Sequence, residues 1–550
     1  MRMETTSDEI KSAQPGVISV ITLLVFLVAL SPIWGVSHFV QQDGSGHLYI
    51  SYVMSRLVSG DEFFATAFSL NSLGVPNSIG HWVMTVLLGV FQPFVVSKVI
   101  ATLTFLTIAV GVVFLRARTS RVGVDHQFVL FGSAIAFNSL WLAGGHNFIF
   151  GTSIFAFTIG AYFIWREQMT LLRVLFLALL LLLAFIGHIV SFGVLAGSIL
   201  ILALTTRREI LAKTLLLTSF AFVPLIPVLF AYVGIGGSGE PLRPNWRHLE
   251  DFTSLTSWVK QLSSVDPFVL ISRRSLPFLE IKSSYAVLAA PLIWIFGAVV
   301  LFLVATIRSI GFRGLFSYER RPFLLLTLIA VIFALFGPDD FGLLNGSILR
   351  ERLLICSLIL FVPLISLAPK TFARVPLTVA LTFVVLFQTA SMWDFAISAD
   401  RDVPPFMEAK SALNEGDTVA SVVIVQDNSK YHSIPLTQLN NYLGINRHVI
   451  VSDNYEIGHR LFPVVAKDIE EQRFVFDLTT SNIFYLNDPK FDFDATLSKL
   501  DRTLQRAGKR VDKLVLWGEH ERVETVIRKW FDATPIFSNA QIRVFSAKRL

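Results

Sequence analysis

Long uninterrupted apolar blocks restrict the fold of this chain more than any other feature. Val17 to Val36 is the first, and comparable stretches recur near 95–115, 127–143, 147–165, 171–187, 189–205, 212–233, 284–307, 322–337, 352–368 and 374–393. A helix crosses a hydrocarbon layer of roughly 30 Å with about 20 residues. With 53% hydrophobic and 16% charged residues and a mean hydropathy of +0.63, the chain carries more apolar side chain than a soluble core of its length hides. The predicted fold class is a polytopic α-helical membrane protein with about eleven transmembrane helices. No small-residue cleavage pattern follows the first block, so it reads as a span and not as a cleaved signal.

The basic residues orient these spans. Arg116, Arg118 and Arg121, then Arg166 with Arg173, Arg207 with Arg208, Arg308 to Arg321, and Lys370 with Arg374 occupy turns between apolar blocks. An odd number of spans and a cytoplasmic N-terminus place all of these turns inside. Ile79 to Phe91 is too short for a span and ends at Gln92 and Pro93. It is expected as a juxtamembrane helix in an outer loop 37–94, or as an outer extension of the second span. A second outer loop is expected at 234–283. The net charge of +6 resides in these turns, so nucleic acid is excluded as a partner. The single cysteine, Cys356, excludes an intramolecular disulfide and a cysteine-rich metal site.

After residue 397 the character changes. Val419 to Val425, Val449 to Val451, Phe474 to Phe476 and Leu514 to Trp517 have the length and composition of buried strands. Between them, Asp494 can cap a helix carrying Leu497, Leu500 and Leu504 and ending at Gly508; Glu519 to Phe531 is another helix. The expected organisation is a transmembrane domain over 1–397 and an extracytoplasmic α/β domain over 398–550. Neither GxGxxG nor GxxxxGK[ST] occurs in the latter.

Ionisable groups beside spans are costly and count as functional candidates. On this topology Asp43 and His47, His146 and Asn147, His188, Asp339 and Asp340, and Arg350 and Arg352 all reach the outer face. Each has a plainer reading. Asp43 can cap the following helix, with His47 one turn on. His146 and His188 can be turn residues satisfied by backbone or water. Arg350 and Arg352 can pair with Asp339 or Asp340, or reach the surface. Asp61 and Glu62 are candidate ligands for a divalent cation.

The segment QQDGSGHLYISYVMSRL, with its acid directly after the first span, resembles the first outer loop of GT-C superfamily membrane glycosyltransferases. GGHNFIFGTSIFAFTIGAYF, LLLLLAFIGHIVSFGVLAG and LRERLLICSLIL resemble further segments of the bacterial, polyprenyl-phosphate-sugar dependent members. The likeness spans roughly residues 15–393. It implies transfer of a sugar from a polyprenyl-phosphate carrier to a glycan, lipid or protein acceptor, on the outer face of the bacterial cytoplasmic membrane. Inversion would follow from a single displacement. Asp43, with His47, would be catalytic, Asp43 taking the acceptor proton. Arg350 or Arg352 would hold the lipid phosphate. Loop 234–283, with Trp246, Arg247, Trp258 and Asp266, would cover the site. Several families of the superfamily carry two adjacent acids in that loop, whereas Gly44 follows Asp43. No cofactor is therefore assigned beyond a divalent cation, Mg or Mn, on Asp61 and Glu62. A lipid-linked glycan transporter or flippase is the contrasting class, as is a non-catalytic GT-C-like membrane protein. The transporter would favour midplane acids or broken helices, whereas the candidates here cluster at one face.

Overall fold

A computed structural model describes residues 17–71, 75–120, 125–236, 244–246, 265–268, 291–341, 348–367, 373–426, 433–488 and 491–548. A helix occupies each expected span. Among the described residues, five are long and apolar enough to cross a membrane: Pro93–Thr119, His146–Trp165, Arg208–Val233, Pro291–Gly314 and Arg374–Ala412. Shorter apolar helices include Val20–Trp34, His126–Ala136, Leu171–Gly187, Ile189–Leu204 and Arg321–Phe336. On Leu171–Gly187, Val174, Leu177 and Leu181 are buried, while Leu171, Leu175 and Leu179 are 73%, 58% and 49% exposed. Apolar side chains on both faces suit a helix that meets protein on one side and lipid on the other. The chain is a multi-pass membrane protein.

The loop expected to be the first outer one, 37–94, is built, not open. It contains the helix Gly44–Val58, a short helix Glu62–Ala67, the strand Phe68–Leu70 and the helix Ile79–Leu88. Ile79–Leu88 packs on Gly44–Val58 and is separated by Gln92 from the long helix starting at Pro93. The strand Phe68–Leu70 pairs antiparallel with Val464–Ala466 near the C-terminus, so the loop and the C-terminal domain share a sheet. Of the second outer loop, only 244–246 and 265–268 are described; Arg247 and Trp258 lie outside the described residues. Trp246 is exposed, and the buried Asp266 accepts from the backbone N–H of Phe268.

The C-terminal domain is α/β. Thr418–Val425 pairs parallel with Ile450–Val451, Ile483–Tyr485 and Lys513–Trp517. Ile542–Ser546 then runs antiparallel to Lys513–Trp517. Val419, Val423 and Val425 face the core shared with the helical region, whereas Ala420, Val422 and Ile424 face a second cluster with Leu500, Leu504 and Ile527. That period of two, buried on both faces, explains the continuous apolar run. Phe474–Phe476 is not a strand; it lies in the helix Ile469–Thr479, where Asp468 caps the N-terminus and Phe474, Val475 and Leu478 are buried at helical spacing. Asp492, and not Asp494, caps the helix Phe493–Ala507. The helix Arg374–Ala409 runs through the expected boundary at 397/398 and stacks Phe406 on Trp517, with ring centroids 5.1 Å apart.

Candidate active site at the junction of the first outer loop and the C-terminal domain

The helix Gly44–Val58 is the platform of the site. The C-terminal domain grips it at several points: Ser45 Oγ donates to the Gln438 carbonyl at 2.7 Å, Asn454 Nδ2 donates to the Gly46 carbonyl at 3.1 Å, and Tyr49 Oη accepts from the Val451 N–H at 3.0 Å. Asp453, two residues before Tyr455, is buried on Ser421, Asn440 and Asn482. This polar network locks the segment 453–456 against the outer loop.

The turn before the helix His146–Trp165 closes the other side. Gly144 has φ +90°, and a Cβ there would stand 2.9 Å from the Gly44 nitrogen. Glycine is required both for that backbone conformation and for the approach. The backbone N–H of Asp43 donates to the Ala143 carbonyl at 2.8 Å, and the His47 ring to the carbonyl of Gly144.

Asp43 precedes the helix but makes no side-chain cap bond to it. Capping therefore does not account for its carboxylate. The residue is half-buried. Withdrawal from bulk water raises its carboxyl to about 6, with His47 opposing the rise and Glu456 adding to it.

His47 leads to a partner from the far end of the sequence. Glu456, fully buried, ion-pairs with Nδ1 of His47 and, at 2.8 Å, with Nε2 of His81. The His47 ring lies 4.9 Å from that of His81 and 5.7 Å from that of His146, centroid to centroid. Burial alone lowers the imidazolium of His47, but the adjacent Glu456 carboxylate outweighs it and the net shift is upward. Burial likewise raises Glu456, and the two histidines outweigh that, holding it well below the usual carboxylate range. Asn147 orients His81: its Nδ2 lies 3.3 Å from His81 Nδ1, and its Oδ1 accepts from the Gly80 N–H at 2.7 Å.

Tyr455 is influenced by both this cluster and Arg352. Burial pushes its phenol well up, Asp43 and Glu456 adding and Arg352 opposing, so it neighbours both the candidate base and a cation. Arg352 places its guanidinium 5.4 Å over the Phe148 ring. Its Nε has no hydrogen-bond partner among the described residues. Arg350 is employed differently. It bonds the Ala334 and Leu335 carbonyls at 3.1 and 3.2 Å and Asp339 at 3.0 Å, closing the end of the helix Arg321–Phe336. All three of its nitrogens thus have protein acceptors. Asp340 is bridged to Asn245 of the second outer loop. His188 accepts from the Val190 N–H at 3.1 Å as a helix cap, with its ring edge-on to Phe148.

Asp61 and Glu62 are not gathered around an ion position. Asp61 caps its helix through the N–H groups of Phe63 and Phe64 and pairs with Arg56 and, at 3.0 Å, with His448, while Glu62 is exposed. Among the described residues, the three potential metal ligands that lie within 4.8 Å of one another are His47, His81 and Glu456.

ArnT from Cupriavidus metallidurans bound to undecaprenyl phosphate is similar over 97% of each chain, at 11% identity and a TM-score of 0.52. The chain shares the fold of that protein. The archaeal oligosaccharyltransferase AglB from Archaeoglobus fulgidus, in complex with an inhibitory peptide and a dolichol-phosphate, matches 98% of this chain and 75% of its own at 10% identity, with a TM-score of 0.44. No protein-family model matches the chain, and no curated protein sequence does.

Nothing local in the sequence marks His81, Tyr455 and Glu456 as site residues. His81 is a lone imidazole in an apolar juxtamembrane run, a weak signal. Tyr455 and Glu456 stand in the polar stretch SDNYEIGH of the α/β domain, which nothing local ties to the membrane surface.

Proposed function

We propose that this chain is a membrane glycosyltransferase that moves a sugar from a polyprenyl-phosphate carrier to an acceptor hydroxyl on the outer face of the cytoplasmic membrane. The observation that carries the reading is Asp43: a half-buried carboxylate, free of the capping bond its position invites, raised to about 6 and sharing Tyr455 with the half-buried Arg352. Its placement in the first outer loop of a GT-C fold supports the same role.

In the proposed reaction the acceptor oxygen attacks the anomeric carbon and gives its proton to Asp43. The bond from that carbon to the carrier phosphate breaks, and the electron pair leaves with the phosphate. Arg352 stabilises the departing dianion through charge-assisted bonds in a desolvated setting. One displacement inverts the anomeric configuration. His47 and Glu456 act as positioning residues, fixing the helix that begins beside Asp43. The helix His146–Trp165 then spans the membrane, with its N-terminus at the site and Arg166 at the opposite, cytoplasmic end.

Two imidazoles and a carboxylate form a donor set suited to zinc or manganese more than to magnesium, which prefers oxygen and water. If a cation is required, His47, His81 and Glu456 are the residues that would hold it, and it would supply a fixed positive charge joining the outer loop to the α/β domain. The test of the function is sugar release from a synthetic polyprenyl-phosphate sugar by the purified chain with and without acceptor, before and after chelation. Absence of turnover across hexose, pentose and amino-sugar donors would defeat the glycosyltransferase reading.

A further inference from the structure

The two sequence neighbours of Tyr455 are both fastened to the first turn of the helix Gly44–Val58. Asn454 Nδ2 donates to the Gly46 carbonyl at 3.1 Å and to Asn441 Oδ1 at 2.7 Å. Glu456, whose backbone N–H donates to Asn454 Oδ1 at 3.0 Å, pairs with His47 and His81. Asp43 is tied to the same turn, its carbonyl accepting from the His47 N–H at 2.9 Å. The backbone of Tyr455, contributed by the α/β domain, is therefore fixed with respect to the candidate base.

Its ring is held as well. It stands edge-on to Phe462, with centroids 5.7 Å apart and planes at 90°, and lies 6.1 Å from the His459 ring. Phe462 in turn lies 6.0 Å from His81 and 6.5 Å from His47, so it anchors the phenol to the histidine cluster.

Packing accounts for the ring but not for the hydroxyl. The Tyr49 hydroxyl, by comparison, donates to the Val449 carbonyl and accepts from the Val451 N–H, as tyrosines in packed surroundings usually do. Tyr455 is half-buried, and its hydroxyl bonds to no group among the described residues. Burial holds the phenol well above its ordinary value of 10, so the group keeps its proton and offers it as a hydrogen-bond donor.

Asp43 and Arg352 both act on this phenol. In the proposed reaction these two serve opposite sides of the anomeric carbon, one the incoming oxygen and the other the departing phosphate. A group that neighbours both lies alongside the sugar that is transferred. On the glycosyltransferase reading, on which this inference rests, we propose that Tyr455 is a sugar-contact residue whose hydroxyl donates a hydrogen bond to the sugar of the lipid-linked donor. The α/β domain thereby supplies part of the donor site.

The test compares the full-length wild type with Tyr455→Phe in detergent. The substitution keeps the ring against Phe462 and removes one oxygen, so the unfolding midpoint should be unchanged. Equilibrium binding is measured without acceptor for two probes. One is polyprenyl phosphate alone; the other is the same carrier bearing whichever hexose, pentose or amino sugar the wild type releases or transfers. Tyr455→Phe should lower affinity for the sugar-bearing carrier about 3- to 10-fold, the usual effect of losing one neutral hydrogen bond, and leave affinity for the bare carrier as it is. An equal loss on both probes, the pattern of a phosphate ligand, overturns the proposal, as does no loss on either. Both outcomes leave the glycosyltransferase reading standing. A wild type that processes none of the sugar-bearing carriers defeats that reading and this inference with it.

Discussion

The carboxylate of Glu456 stands 2.8 Å from Nε2 of His81, joining residues 375 positions apart, with the same side chain also held by His47. This buried pairing connects the α/β domain to the first outer loop, so it should govern both cohesion and pH response. Removing one partner of such a cluster leaves uncompensated buried charge. Glu456→Gln is expected to lose about 3–5 kcal/mol of stability, read as a lowered unfolding midpoint. An unchanged midpoint would mean the pairing contributes nothing to docking.

The same cluster sets a pH window. His47 is raised in the folded chain, so its contribution is complete below its ordinary value of 6.5 and is lost as pH rises through the folded value. Glu456 is lowered, so its contribution is complete above its ordinary value of 4.5 and is lost as pH falls through the folded one. Both are complete between these two values. Thermal unfolding in the presence of a chelator, so that proton and not metal linkage is read, should show its highest midpoint there and decline on either side. Glu456→Gln should flatten the profile.

Asp43→Asn should reduce sugar transfer by about 10²- to 10⁴-fold, the usual effect of removing a positioned base. Because Asp43 makes no cap bond, the unfolding midpoint should hardly change. Near-normal transfer by this variant would remove Asp43 from the chemistry. In the wild type, transfer should fall as pH drops below about 6, where the base becomes protonated.

The two arginines of LRERLL should separate by phenotype. Arg352→Gln is expected to lower kcat/KM for the lipid-linked donor by about 10- to 100-fold, in line with loss of a charge-assisted contact, and to leave folding intact. Arg350→Gln should lower the unfolding midpoint instead, since it breaks bonds to Ala334, Leu335 and Asp339. Equal donor kinetics in Arg352→Gln and wild type would exclude Arg352 as a phosphate ligand.

A reporter fused to the C-terminus should be active only in the exported compartment, because the turns holding Arg116, Arg166 and Arg320 should then face the cytoplasm. A cytoplasmic signal would reverse the membrane orientation and place Asp43 on the inner face.

What the sequence makes legible follows from the range of the forces involved. Block length places the helices, because each backbone group in hydrocarbon must be satisfied within its own segment. The two-faced burial of Val419–Val425 was legible as an unbroken apolar run, since its cause lies in the strand itself. Phe474–Phe476 was misread because three apolar residues suit a helix or a strand equally until Asp468 caps the segment and the core selects the helical face. Asp43 was visible as a charge beside a span. Its release from capping, however, depends on how Gly144 and Gln42 hold the backbone and side chain.

Arg350 and Arg352 are indistinguishable in sequence, yet two residues turn a helix by roughly 200°. One therefore meets the end of Arg321–Phe336 and the other meets Phe148. Block length and residue pattern specify a multi-pass helical protein with polar groups beside its spans and an α/β region towards its C-terminal end. That Glu456 joins His47 and His81 follows instead from docking the α/β domain against the first outer loop, since no local propensity encodes contacts between residues so far apart.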